Sequence, residues 1–530
     1  MGALFDVALK QLAAFTIVVI GTTGPLLGAV AVPSVFSDHM VLQRDKPLPI
    51  WGWADAGEQV RVSFGKYTVS TTANTTGKWR VTLPPMDANR ESATLTIQGA
   101  NEIKIHDVLV GEVWVCSGQS NMQWPISASW NADLTRYAAD HPRIRLLTVE
   151  NAGLQKPMQD FEGSWQVCTS ETVNQFSAVG YFFGLRLHQI LDIPIGLIDN
   201  SWGGSACEAW ISRFQLEAEN DLFEPILRHW DDLAELPENK EPYDDFEAKL
   251  LQWEQELIAA KQFGKKHPVA PKILNNRMAK QHRPANLFNG RVLPIVPYAM
   301  RGVIWYQGEH NASRAYQYRD LFPKMIQTWR DVWQQGDFPF YWVQLADFFD
   351  EVSEPDESDW AELREAQTMT MDRLKNTGQA VIIDLGEAAD IHPRNKLEVG
   401  NRLARWALAR DYGIDLAYRS PQFDTMSVQN GKSTLKFKSV GQGLRTVDAN
   451  VVEGFSIAGA DRQWHSAKAR ILDNGEIVEV WSPQVPEPMA VRYAWASNPI
   501  CNVFSREGLP LTPFRTDDWP GITTNKVLPR

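Results

Sequence analysis

Four short clusters along the chain hold the parts needed for acyl transfer. Gly118-Gln119-Ser120-Asn121 places a hydroxyl on a turn of small residues. A serine on such a turn after a buried strand presents its oxygen at the sheet edge, where an ester carbonyl can approach. The same hydroxyl could instead cap the helix that follows. The turn is not the GxSxG elbow, because position 122 is Met. Asn200-Ser201-Trp202-Gly203-Gly204-Ser205 offers glycines that free a backbone N–H to point into a site, although an ordinary βα turn reads the same way. Trp305-Tyr306-Gln307-Gly308-Glu309-His310-Asn311 supplies two neutral amides, Gln307 and Asn311, of the kind that donate to a developing oxyanion. Asp390-Ile391-His392-Pro393 pairs an imidazole with a carboxylate, the base and the orienting acid of a triad. Each cluster alone is weak evidence, since a single histidine is more often structural. Serine, glycines, amides and Asp/His in this order, each near a strand end, make a much stronger case together.

The elements around these clusters read as α/β. Asp107 to Cys116 is a near-continuous apolar run, as expected of a buried parallel strand. Further strands are read at 193–199, 302–306, 341–345 and 380–384, with amphipathic helices at 176–190 and 318–334 between them. This alternation predicts a doubly wound parallel sheet over 108–410, with ligands at the carboxyl ends of its strands. Residues 32–107 alternate with turn signals every few residues, as in a small β-sandwich. Residues 411–530 return to β-like alternation and read as a second β module. Within the core, 215–290 carries a helical charge pattern and reads as a solvated insertion with no chemistry of its own.

Composition sets the outer limits. With 530 residues the chain has room for two to four domains at roughly 100–200 residues each. Its 44% hydrophobic content excludes global disorder. A net charge of −12, with no basic stripe, argues against a nucleic-acid partner. Trp occurs 21 times, a type suited to stacking on sugar rings, yet most are expected in the core. Residues 1–31 read as a signal peptide: Lys10, an apolar run from Leu12 to Ile20, and the small-x-small site Ala29-Val30-Ala31. That reading predicts a secreted or lysosomal protein with no membrane span in the mature form. Four cysteines, Cys116, Cys168, Cys207 and Cys501, would then allow one or two disulfides. None lies in a CxxC pair, so no metal site is expected from them. Asn74-Thr75-Thr76 is a glycosylation sequon in a polar turn.

The clusters also resemble, in wording and order, the sialate O-acetylesterase family of the SGNH/GDSL hydrolase superfamily. The resemblance runs through VWVCSGQSNMQWP (113–125), FSAVGYFFG (176–184), IGLIDNSWGGSACEAWIS (195–212), RPANLFNG (283–290), RGVIWYQGEHNA (301–312) and DIHPRNKLEVGNRLARWAL (390–408). It extends to FSDHMVLQRDKPLPIWGWA (36–54) and to 491–517. It implies an SGNH-type core and hydrolysis of O-acetyl esters of sialic acids, with no cofactor. Ser120 would be the nucleophile, His392 the base and Asp390 the acid. The N–H groups of Ser120 and Gly204, with a side-chain amide, would form the oxyanion hole. The superfamily's usual DxxH spacing is here Asp390-x-His392, so Glu387 and Asp384 stay open as the acid. For the amide, Gln307 is favoured and Asn311 stands second. A sialic acid carboxylate would need a cation, with Arg283 or Arg394 nearest to the motifs. The alternatives are an acetyl esterase for another glycan, such as xylan, and a secreted carbohydrate-binding protein without catalysis.

Overall fold

The computed structural model describes residues 29–528 apart from 150–152, 219 and 353. The predicted leader therefore lies outside the described residues up to position 28. Ala29, Val30 and Ala31 are buried in the N-terminal module, where Ala31 bridges to Trp53.

One long strand joins two sheets. Strand β1 (Glu102–Gly118) pairs in its first half with the antiparallel strand Asn89–Gln98 and the short parallel strand Val41–Gln43 of the N-terminal β module. Asp107 sits within it at a φ of 55°, at a register shift in the pairing with Asn89–Gln98, and the pairing passes to the core sheet at Glu112. The second half is buried without interruption, as its apolar sequence requires. It forms the centre of a seven-strand path completed by β2 (His141–Thr148), β3 (Gln166–Cys168), β4 (Ile195–Ser201), β5 (Gly302–Tyr306), β6 (Phe340–Val343) and β7 (Thr377–Ala380), in the spatial order β7-β6-β5-β1-β4-β2-β3. All pairs are parallel except the edge pair β2–β3. The order reverses at β1, so the carboxyl ends of β1, β4 and β5 open onto a shared crevice. The predicted strand at 380–384 is displaced. Only Thr377–Ala380 face β6, while Val381 and Ile383 turn into the core of the C-terminal module.

Helices flank this sheet. Ser120–Gln123 is α1, Ala178–Leu191 α2, Ala315–Trp333 α3, Asp359–Arg373 α4 and Lys396–Arg410 α5. Behind β5 and β6, the rings of Trp210, Trp305, Phe322, Trp329 and Phe340 pack edge to face. The tryptophans there are core residues, consistent with their type. Beyond α5, antiparallel sheets built on Gln422–Gln429 and Phe455–Ala458 make up the C-terminal module.

Two expectations need correction. The 215–290 segment does contain helices, Asn220–Ala234 and Pro237–Gln262, but it is more than a solvated insertion. Tyr243, Phe246, Leu250, Trp253 and Leu257 join the main core. The carboxylates of Glu247 and Glu254 are buried, accepting the backbone N–H groups of Gln155 and Lys156 and of Gln159 and Asp160. The cysteines form no disulfide: Cys116, Cys168 and Cys207 are buried free thiols and Cys501 is a half-buried one. Burial pushes the Cys168 and Cys501 thiols up to about 12, so all four behave as packing groups.

Candidate functional site

The nucleophile turn is shaped by a glycine. Gly118 has a φ of 136°, and a Cβ there would lie 2.2 Å from the Tyr306 carbonyl oxygen. Only glycine lets β1 run this close to β5 and then turn sharply into α1. Ser120 is the first residue of α1, and Gln119 occupies the cap position without a side-chain cap bond. The Ser120 hydroxyl is not spent on capping. It stands 2.9 Å from His392 Nε2.

His392 lies on the loop between β7 and α5. Its Nδ1 is 3.3 Å from Asp390 Oδ1, and the same oxygen accepts the His392 backbone N–H at 2.9 Å. The ring stacks on Trp124, centroids 4.6 Å apart and planes within 12°. Burial lowers the imidazole's proton affinity, Asp390 works against that, and the charge of Lys396 adds to the lowering. The ring is therefore neutral at pH 7 and free to accept a proton. The two other acids near this loop are engaged elsewhere. Asp384 holds the Arg402 guanidinium through both oxygens, and Glu387 holds Arg394.

The Gly203–Gly204 turn after β4 lies against the nucleophile, since a Cβ on Gly203 would meet Ser120 Cβ at 3.5 Å. Three side chains fix this turn. Gln123 Oε1 accepts the Gly203 N–H at 2.9 Å. Gln281 Nε2 donates to the Gly203 carbonyl at 3.0 Å, and His282 Nε2 bonds the Gly204 carbonyl at 3.0 Å. In a planar trans peptide the carbonyl and the following N–H point opposite ways. Pinning the Gly203 oxygen on Gln281 thus directs the Gly204 N–H away from Gln281. The N–H of Ser120, at the first position of a helix, has no carbonyl one turn back to serve. His282 stacks on His310, centroids 4.2 Å apart; burial pushes both imidazoles down, His310 to about 4, so this pair is uncharged at neutral pH.

The two amides expected to complete the oxyanion hole are already committed. Gln307 donates both Nε2 hydrogens, to Ser205 O and to Asn311 Oδ1, and accepts from the Tyr318 hydroxyl. Asn311 donates to Glu208 Oε2 and accepts the Cys207 N–H. Glu208 is anchored by Arg314 at 2.7 Å. Burial alone would raise Glu208, but Arg314 and Asn311 hold it below the usual carboxylate range. This wall is wholly buried. Sequence reasoning passed over Gln119. Its Oε1 faces the backbone N–H groups of Gly308 and His310, each at 3.4 Å. That orientation leaves Nε2 without a hydrogen bond among the described residues.

Of the two arginines considered for a substrate carboxylate, Arg283 is buried with its guanidinium 5.0 Å from the Tyr243 ring centre. Arg394, two residues past His392, is exposed and paired with Glu387. Among the described residues no group of three His, Cys, Asp or Glu side chains is placed to hold a metal ion, and no helix is long and apolar enough to cross a membrane.

A family model described as carbohydrate esterase, sialic acid-specific acetylesterase, matches residues 110–238 and 278–409. The structure of a carbohydrate acetylesterase from Xanthomonas citri is 36% identical, covers 92% of this chain and 100% of its own, and superposes with a TM-score of 0.76. The chain belongs to the sialate O-acetylesterase family of carbohydrate esterases. The sialate O-acetylesterase of Rattus norvegicus is 29% identical, over 91% of this chain and 93% of its own length. That of Homo sapiens is 27% identical over 93% and 94%. The family match spans the two blocks holding Ser120, Gly204, Gln307 and His392, and it skips 239–277, where the long helix of the insertion lies.

Proposed function

We propose that this chain hydrolyses O-acetyl esters of sialic acids through an acetyl-serine intermediate, on an SGNH-type core. The observation that carries the proposal is the 2.9 Å contact between Ser120 Oγ and His392 Nε2 at the crevice of the sheet. Ser120 Oγ attacks the ester carbonyl carbon while its proton passes to Nε2. Asp390, at Nδ1, stabilises the imidazolium so formed. The N–H groups of Ser120 and Gly204 receive the oxyanion, and Gln119 Nε2 is the side-chain donor in place of Gln307 or Asn311. The tetrahedral adduct collapses, and the sugar hydroxyl leaves with the proton from Nε2. His392 then deprotonates a water that attacks the acetyl carbon, releasing acetate and restoring Ser120. The residues named complete both half-reactions without a cofactor. Arg394, exposed beside the base and paired with Glu387, is the cation we assign to the carboxylate that distinguishes sialic acid from neutral sugars.

Acetate release from O-acetylated sialic acid, compared with acetylated xylan, tests the assignment. We expect the sialic acid ester to be preferred, and Ser120→Ala to lose about 10⁴-fold or more of the rate on it. A preference for xylan would move the function to another acetylated glycan with the same machinery. Turnover that survives Ser120→Ala would refute the nucleophile.

A further inference from the structure

Behind the proposed triad lies a buried lysine that the chemistry above does not use. Lys396 opens α5, and its side chain is fully buried. Its ammonium donates to Asn121 Oδ1 at 2.5 Å. A lysine has only hydrogens to give, so the Asn121 atom facing it must be the oxygen. The Asn121 Nδ2 then spends both of its hydrogens, on Glu309 Oε1 at 2.6 Å and on the Ile391 carbonyl at 3.0 Å. Asn121 adjoins the nucleophile and Ile391 adjoins the base. One amide thus ties the loop that carries His392 to the helix that carries Ser120. The ammonium also sits 5.9 Å from the Trp124 ring centre and 5.3 Å from that of Tyr306, and Trp124 is the ring on which His392 stacks.

We propose that Lys396 and Asn121 are positioning residues, holding the His392 imidazole on Ser120 by anchoring the Ile391 carbonyl and setting the Lys396 amine behind the base. This deepens the esterase reading and rests on it. Three acids face the ammonium: Glu309 from the turn after β5, and Asp390 and Glu387 from the His392 loop. Of the charged groups acting on His392, Asp390 raises its proton affinity and Lys396 lowers it. Burial drops Lys396 to about 7, with the three acids opposing it, so the ammonium carries its charge on the acid side of neutrality. A like charge favours the neutral imidazole. Neither Lys396 nor Asn121 reaches the surface of the crevice to any extent, so neither contacts substrate.

The test is Lys396→Met and, as a smaller change that preserves the side-chain outline, Asn121→Asp. In both, kcat for acetate release should fall about 10²-fold, the scale of a small misplacement of a catalytic group, with KM nearly unchanged. The acid limb of kcat/KM should move to higher pH, because the positive charge is gone in the first variant and a carboxylate is added in the second. An NMR titration of the His392 ring should show the same upward shift without any substrate. If Lys396→Met or Asn121→Asp folds with kcat within about threefold of the parent and an unmoved His392 titration, the proposal is overturned while the esterase reading stands. If acetate release survives Ser120→Ala, Ser120 is not the nucleophile, and this proposal, which holds His392 on Ser120, falls with that assignment.

Discussion

Asp390→Asn gives the sharpest test of how the acid works. The substitution keeps the size of the side chain and one oxygen for the His392 backbone N–H, so the loop keeps its shape. It removes the charge opposite Nδ1. Two unit charges 3.3 Å apart interact by about 1.3 kcal/mol at the dielectric of water and about 5 kcal/mol at a typical protein surface. The Asp390 side chain is 47% exposed, so screening keeps the value toward the lower end, about 1–3 kcal/mol. The expected loss in kcat/KM is therefore about 5- to 150-fold, well short of the roughly 10⁴-fold seen where a triad acid is buried. The pH profile carries a sign as well. Asp390 raises the His392 affinity for a proton, so its removal moves the acid limb to lower pH even as the plateau drops. Initial rates of acetate release across the acid limb would measure both quantities. A loss as large as that of Ser120→Ala, or no loss together with an unmoved limb, would refute the electrostatic account of Asp390. The second result would return Asp384 or Glu387 to consideration.

The remaining predictions follow the hydrogen bonds. Gln119→Leu should lower kcat by about 10²–10³-fold with little change in KM if its Nε2 meets the oxyanion; a near-normal kcat would reassign that donor. Arg314→Met strands the Glu208 carboxylate, both partners being 1% exposed, and should destabilise the fold by about 3–5 kcal/mol in chemical denaturation. An unchanged unfolding midpoint would show that the wall around Gln307 and Asn311 does not depend on that ion pair.

The residue types and their order along the chain make the crevice legible in the sequence. Gly118, two residues before Ser120, makes the sharp turn, and His392 comes after the last strand of a parallel sheet. Most strands were legible too, because buried parallel strands are apolar throughout. Residues 302–306 read as a strand and are one, β5. What stayed hidden is competition for partners. Gln307 has the right chemistry in the right place after β5, yet Ser205, about a hundred residues earlier, takes one of its hydrogens. Glu247 and Glu254 look like solvated helix charges, and only the approach of the 155–160 loop makes them buried caps. Lys396 stands at a helix start, yet it is wholly buried and bonded to Asn121, 275 residues earlier. In each case the side chain's capacity is a local property, while its use is decided by a donor or acceptor far away in sequence. An amide or a charge can therefore be assigned a chemical role only after its other hydrogen bonds are counted. By that count Gln119 retains a donor that Gln307 has already spent.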